Sequence, residues 1–146
     1  VWVYYAWDGV ATKLAGLNTN FLKIADYSPE LDFYSPVIIA NNDYLKKNPV
    51  QAKKVLKAIK KGYEYSMKNP EEAAKILIKN APEINPQLAI ASQKWLVSQY
   101  KGDAKNWGEI DKKRWDLFYD WLYKNKLIPF LTLPFYNIPF FLAFCQ

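Results

Sequence analysis

The stretch Tyr4-Tyr5-Ala6-Trp7-Asp8-Gly9 sets three rings and one carboxylate side by side, at the end of an apolar run and just ahead of a turn. The end of a strand that leads into a helix is where open α/β sheets bind ligands. There Asp8 would accept hydrogen bonds from a ligand amine while Tyr5 or Trp7 stacks on a flat ring. The same residues have an architectural reading, in which Asp8 caps a helix beginning near Gly9 and Trp7 is core. Both readings stay open on the residues alone. Little else in the chain invites catalysis. Histidine is absent and Cys145 is the single cysteine, which removes the commonest general base, the commonest zinc ligand, any intrachain disulfide and any cysteine-based metal cluster. No catalytic residue, no metal site and no cofactor is expected.

A second grouping is Lys46, Lys47, Lys53, Lys54, Lys57, Lys60 and Lys61. Phosphate binding is one use for such a run. The lysines nevertheless fall on the polar side of an amphipathic helix, and the only arginine, Arg114, is not among them. The expectation is a solvated face and no nucleic-acid partner. Charge is uneven along the chain: residues 1–36 carry Lys13 and Lys23 against Asp8, Asp26, Glu30 and Asp32, whereas residues 37–126 hold 18 basic and 10 acidic side chains.

The elements that must position these groups change character near residue 40. Residues 1–6 are β-branched and aromatic and read as a strand; Gly9 and Gly16 bracket a short helix around Val10 and Leu14; residues 21–25 read as a second strand. Tyr27-Ser28-Pro29-Glu30 is a turn. The segment at 33–40 is extended, and Pro36, lacking an N–H, puts it at an edge or at a passage between lobes. Four helices are expected beyond it, at about 50–68, 71–80, 86–101 and 110–125, packed as hairpins. Three begin at Asn48-Pro49, Asn69-Pro70 and Asn85-Pro86, with Asn capping free N–H groups and Pro at the first helical position. In the first of them Ala52, Val55, Leu56, Ile59, Tyr63 and Met67 recur at three- and four-residue spacing as an apolar face.

Residues 127–146 carry no charge and repeat Ile128-Pro129-Phe130, Leu133-Pro134-Phe135 and Ile138-Pro139-Phe140 every five residues. The length suits a membrane span, but three prolines would each break a helix bond. The reading is a non-native end, or a tail laid across apolar surface. The chain opens at Val1 with no initiator Met and no targeting peptide, so an internal piece of a longer protein is expected.

The order of several short motifs carries a family resemblance. These are Tyr5-Ala6-Trp7-Asp8-Gly9, then Asp26-Tyr27 with Pro29, the segment Phe33-Tyr34-Ser35-Pro36-Val37-Ile38-Ile39-Ala40, Asn48-Pro49, Ala58 with Lys61-Gly62-Tyr63, Asn69-Pro70 with Glu72-Ala73-Ala74, Ser92-Gln93 with Leu96, and Trp115, Phe118 and Trp121-Leu122. Over residues 1–126 the chain resembles the C-terminal half of the NMT1/THI5-like solute-binding proteins. These serve ABC importers of thiamine-pyrimidine precursors, with relatives for riboflavin, nitrate, sulfonates and taurine. The resemblance implies an α/β type II periplasmic-binding-protein fold, here a mostly helical C-terminal fragment with a few short strands. By it, residues 1–32 complete the second lobe, 33–41 form a hinge strand, 42–126 are the closing helices of the first lobe, and 127–146 are an atypical tail.

The resemblance further implies an extracytoplasmic, periplasmic or lipoprotein component that captures a small heteroaromatic ligand between two lobes and presents it to ABC permease subunits. Membrane association would come from a lipid anchor or the permease. Asp8 matches the family's cleft acid, usually Glu, with Tyr5 and Trp7 beside it and Tyr34 as a further ligand-binding candidate. Nitrate-, sulfonate-, taurine- or riboflavin-type binding, and a helical interaction module with no ligand, are the alternatives. Fungal relatives make the thiamine pyrimidine with chemistry that draws on His and clustered Cys. This chain has neither, and the expectation is that it is not an enzyme.

Overall fold

The computed structural model describes residues 1–129 and the backbone of Leu142 and Ala143. The chain runs from a π-helical turn at Tyr5–Gly9 straight into α1 (Val10–Leu14). It then passes through 3-10 turns at Ile24–Asp26 and Pro29–Leu31 to the strand β1 (Val37–Ile38). From there it continues through α2 (Asn42–Lys47), α3 (Pro49–Lys68), α4 (Pro70–Asn80), α5 (Pro86–Gln99) and α6 (Lys112–Lys124). β1 pairs antiparallel with β2 (Leu142–Ala143), with Val37 opposite Ala143 and Ile38 opposite Leu142. Apart from this ladder the described chain is helical or irregular. The periodic repeats and most of the remaining tail lie outside the described residues.

The four expected helices are present as α3, α4, α5 and α6, and the short one between Gly9 and Gly16 as α1. The two expected strands near the start are not. Residues 1–4 form no regular element; Tyr4 is extended, with φ −93° and ψ 117°, but the segment has no partner strand among the described residues. Extended backbone alone makes no ladder. At 21–25 the chain is irregular and then turns at Ile24–Asp26, because the Phe21 ring is drawn edge-on against Tyr5, with centroids 5.0 Å apart. α2 was not expected: its six residues span under two turns, too few to show a period.

Asparagine marks the helix junctions in two different ways. The Asn85 side chain accepts from the N–H groups of Gln87 and Leu88 at 2.9 and 3.2 Å, the expected N-cap. Asn48 and Asn69 make no such bond. Each is the single residue between two helices, and its amide Nδ2 donates backwards to the carbonyls of Tyr44 (3.3 Å) and Tyr65 (3.2 Å). Those carbonyls also accept the residue's own backbone N–H, at 2.8 Å in both cases. The asparagines therefore close the helix that ends, and proline alone opens the next.

α4 lies against α5, with Ala74, Ala89 and Ser92 the buried positions of the pair. Lys94 reaches Glu71 across it at 2.6 Å. The π turn and α1 pack on α5, and the Pro29–Leu31 turn packs on α6. On α3 the expected apolar face holds at Ala52, Leu56, Ile59, Tyr63 and Met67, but Val55, at its edge, is 46% exposed. Rings supply much of the remaining packing. Trp107, 3% exposed, stacks on Tyr63 at 4.7 Å, and Tyr63 meets Tyr100 edge-on at 4.9 Å. Phe33 stacks on Phe118 at 4.6 Å. No helix among the described residues is long and apolar enough to cross a membrane.

Candidate functional site

The turn that carries Trp7 and Asp8 is widened by one residue. The Val10 N–H donates to the carbonyl of Tyr5, five residues back, and to that of Trp7. Such π turns recur at functional sites because the extra residue re-aims the side chains around it. Ala6 and Gly9 face inward and are buried; Trp7 and Asp8 face outward and are exposed. Trp7 is thus not core. Asp8 does act as a cap, but for this turn: its Oδ2 accepts the N–H of Tyr4 at 3.0 Å, as the acid of a capping box reaches back to the cap residue. Its Oδ1 accepts no hydrogen bond from the described residues.

Tyr5 holds the turn from behind. Its ring lies between Phe21 and Trp95, both at 5.0 Å centroid separation, with Lys13 Nζ 5.4 Å from the ring centre. A Cβ on Gly9 would stand 2.5 Å from Tyr5 Cδ2. The aromatic and the glycine of the motif are therefore one packing unit, and the exposed ring and acid between them are what it displays.

Tyr34 sits in a different cluster. It is 9% exposed, and its hydroxyl oxygen accepts the N–H of Asp111 at 2.9 Å. Its ring stacks on Trp115 at 6.2 Å, and the Arg114 guanidinium lies 4.2 Å over it. Arg114 donates from Nε to the Asp32 carbonyl and from a terminal nitrogen to Asp32 Oδ1, both at 2.7 Å. Asp111 caps α6 through its side chain, which accepts from the N–H of Lys113 at 2.7 Å. An open cavity of about 720 Å³ adjoins this cluster, lined by Lys23, Tyr34, Gln99, Glu109 and Arg114 among others. The Asn106 side-chain amide, and then its backbone N–H, donate to Glu109 and hold its carboxyl below the usual range.

The structure thus brings Tyr5, Trp7 and Asp8 together in one turn and puts Tyr34 in another cluster. α5 links the two. Trp95 supports Tyr5, and Gln99, one helical turn on and on the same face, lines the cavity beside Tyr34. Reading the residues in order misses Arg114 and Asp32, whose contact spans 82 residues. The one available signal is that Arg114 is the only arginine in a chain of lysines. Among the described residues no group of His, Cys, Asp and Glu is placed to hold a metal ion.

The family described as NMT1/THI5 like matches residues 1–73, half of the chain. The chain is 40% identical over 57 residues to the 4-amino-5-hydroxymethyl-2-methylpyrimidine phosphate synthases THI5 and THI12 of Saccharomyces cerevisiae, a match covering 39% of this chain and 17% of each synthase. It is 27% identical over 115 residues to the formylaminopyrimidine-binding protein of Halalkalibacterium halodurans, covering 75% of this chain and 34% of that protein. The matched region is therefore about a sixth of the yeast proteins' length and a third of the bacterial one's. The relatives bear two kinds of name, a synthase and a binding protein. The family match takes in the π turn at Tyr5–Gly9, and by that match over half of its length the chain belongs to the NMT1/THI5-like family.

Proposed function

We propose that the chain forms one wall of a solute-binding site for a small aminopyrimidine-like ring, in an extracytoplasmic component of an ABC importer with a type II periplasmic-binding fold. The observation that carries this reading is the outward display of Trp7 and Asp8 on a turn locked by Tyr5 and Gly9. An exposed indole offers a stacking face. The adjacent carboxylate, with Oδ2 fixed by the Tyr4 N–H and Oδ1 accepting no hydrogen bond from the described residues, selects an exocyclic amine or ring N–H by a charge-assisted hydrogen bond. In this reading residues 1–32 belong to one lobe, 33–41 to the hinge and 42–126 to the other, and Tyr34 holds the hinge end in place. Val1, Trp2, Val3 and Tyr4, all exposed beside the turn, suit a surface that a second wall covers on closure. Permease contact and a lipid anchor belong to the same proposal.

The pyrimidine class is supported by the name of the bacterial relative, a formylaminopyrimidine-binding protein. A binding role is preferred over the synthase role of the yeast relatives because the match to the bacterial binding protein spans 75% of this chain, against 39% for each synthase. The test is a titration of the isotope-labelled chain with 4-amino-5-hydroxymethyl-2-methylpyrimidine, followed by NMR. One wall alone should give a Kd of about 1 mM or weaker, near 4 kcal/mol of binding. The Trp7 indole and Asp8 amide should shift, and Asp8→Ala should abolish those shifts. Micromolar affinity for the chain alone would overturn the one-wall reading, and shifts confined to residues away from the turn would overturn the site.

A further inference from the structure

The chain's net charge of +6 comes entirely from one helical hairpin. α2 and α3 carry eight lysines against Asp43 and Glu64, and the acids and bases of the remaining residues cancel. On α3, with a step of about 100° per residue, Lys53, Lys54, Lys57 and Lys61 fall within an arc of about 100°. All four are exposed and make no ion pair among the described residues. Lys60, at the arc's edge, meets Glu64 at 3.8 Å, and Lys68 extends the row by a further turn. Val50 lies within the same arc and is 65% exposed; Tyr65 lies just beside it at 45%, and Tyr44 of α2 is 44% exposed.

We infer that this hairpin face docks on an anionic lipid surface. The lysines supply a diffuse field that needs no matching geometry, which is what a lysine point charge does well and an arginine fork is not required for. Their apolar stems, with Val50 and Tyr65, give the face side chains that settle at a headgroup boundary. A nucleic acid would use the charge but has no use for the exposed valine, and the absence of arginine from the face argues against phosphate recognition by a fork. Docking in this way would lay α3 along the membrane and turn the opposite side of the chain, with Ile59 and Tyr63 packed inward, away from it.

The test is co-sedimentation of the chain with vesicles of phosphatidylcholine alone and of phosphatidylcholine with one quarter phosphatidylglycerol, at about 0.05 M salt, where screening is weak. Binding is expected to the anionic vesicles only, with release at about 0.5 M salt. Each lysine near such a surface contributes roughly a fivefold change in partitioning. A chain with Lys53→Gln, Lys54→Gln, Lys57→Gln and Lys61→Gln should therefore lose more than about a hundredfold. Glutamine keeps helix propensity close to that of lysine, and circular dichroism checks that α3 persists. A second chain with Lys79→Gln, Lys105→Gln, Lys113→Gln and Lys126→Gln removes the same charge elsewhere and should keep most of the binding. Equal binding to neutral vesicles, equal loss in the two variants, or retention of a DNA duplex under conditions that leave anionic vesicles unbound would each overturn the inference.

Discussion

The ring of Tyr5 fills the space that a side chain at Gly9 would need: a Cβ there would meet Cδ2, Cγ and Cε2 of the ring at 2.5, 2.8 and 2.9 Å. The backbone of Gly9 is helical, with φ −65° and ψ −40°, so alanine suffers no conformational penalty and should gain helix propensity. The ring cannot retreat, because Phe21 and Trp95 hold its other sides. Gly9→Ala is therefore expected to destabilise by about 1–2 kcal/mol, the overpacking cost less the propensity gain. In a Tyr5→Ala background the same change should be neutral or stabilising by up to about 1 kcal/mol. A double-mutant cycle by urea unfolding measures the coupling; additive effects would mean that the two residues are independent.

Arg114 joins three parts of the chain: its own helix α6, the turn before Asp32, and the buried Tyr34 ring. Its guanidinium donates in two directions at once, which a lysine ammonium on a flexible stem does not reproduce. Arg114→Lys should cost about 1–2 kcal/mol and Arg114→Ala about 2–3 kcal/mol, the range for hydrogen bonds to charged groups that are only partly exposed. Asp32→Asn should cost less than either, because the Asp32 backbone carbonyl still accepts from Nε. Thermal melts of the three variants check the order.

The asparagine junctions separate two uses of one dipeptide. Asn85→Ala removes a side chain that satisfies two orphan N–H groups and should cost about 1 kcal/mol. Asn69→Ala removes a donor to a carbonyl that still accepts the backbone N–H of residue 69, and should cost no more than about 0.5 kcal/mol. Equal losses in chemical unfolding would show that these two Asn-Pro junctions work alike.

These asparagines also show what the residues disclose by themselves. Asn-Pro announces a boundary, and each boundary lies where the dipeptide puts it, because proline needs the first helical position whatever precedes it. Which of the two helices the asparagine serves depends on how soon the previous one ended, and one intervening residue leaves it facing backwards. The face of α3 was legible from Ala52, Leu56, Ile59 and Tyr63 for the same local reason. The strand expected at residues 1–6 was not, since a ladder needs a partner that propensity does not report. At the candidate site, the motif Tyr5 to Gly9 was visible as a cluster of chemistry, but the division of labour inside it follows from the π turn. Tyr5 packs, and Trp7 and Asp8 are displayed. The Arg114–Asp32 contact had no local signature at all, because its partners are 82 residues apart.

Glu71 is one of three carboxyls, with Glu30 and Glu109, that hydrogen bonds hold low and that shape the acidic side of the stability profile. Lys94 donates to Glu71 across the α4–α5 pair, and that bond, then the same lysine's charge, holds its carboxyl below the ordinary 4.5. A carboxyl depressed by folding adds stability that is present above its unfolded value and lost as pH falls through the folded one. Stability should therefore decline below about pH 4.5. Lys94→Gln should flatten part of that limb and change the plateau only slightly, as befits an exposed pair. Unfolding midpoints measured from pH 3 to 7, as an approximate range, read the difference.

At the alkaline end the group to watch is Tyr63, stacked on Trp107 and edge-on to Tyr100. Burial, and then the charge on Tyr100, push its hydroxyl from 10.0 up to about 12. A folded value raised above the unfolded one gives a contribution that is whole below pH 10 and is lost as pH rises towards 12. The unfolded chain ionises first and is favoured through that window. Tyr100 shifts the same way, chiefly through burial, and its hydroxyl donates to Gln93 at 2.9 Å. Tyr63→Phe removes the Tyr63 titration and should make stability fall less steeply between pH 10 and 12, whatever it does to the value at neutral pH. Lysine deprotonation in the same window is common to both chains and cancels in the comparison. Denaturant midpoints of the two chains across the window, with tyrosinate absorbance followed in parallel, decide the matter: equal slopes would place the alkaline limb elsewhere than in this stack.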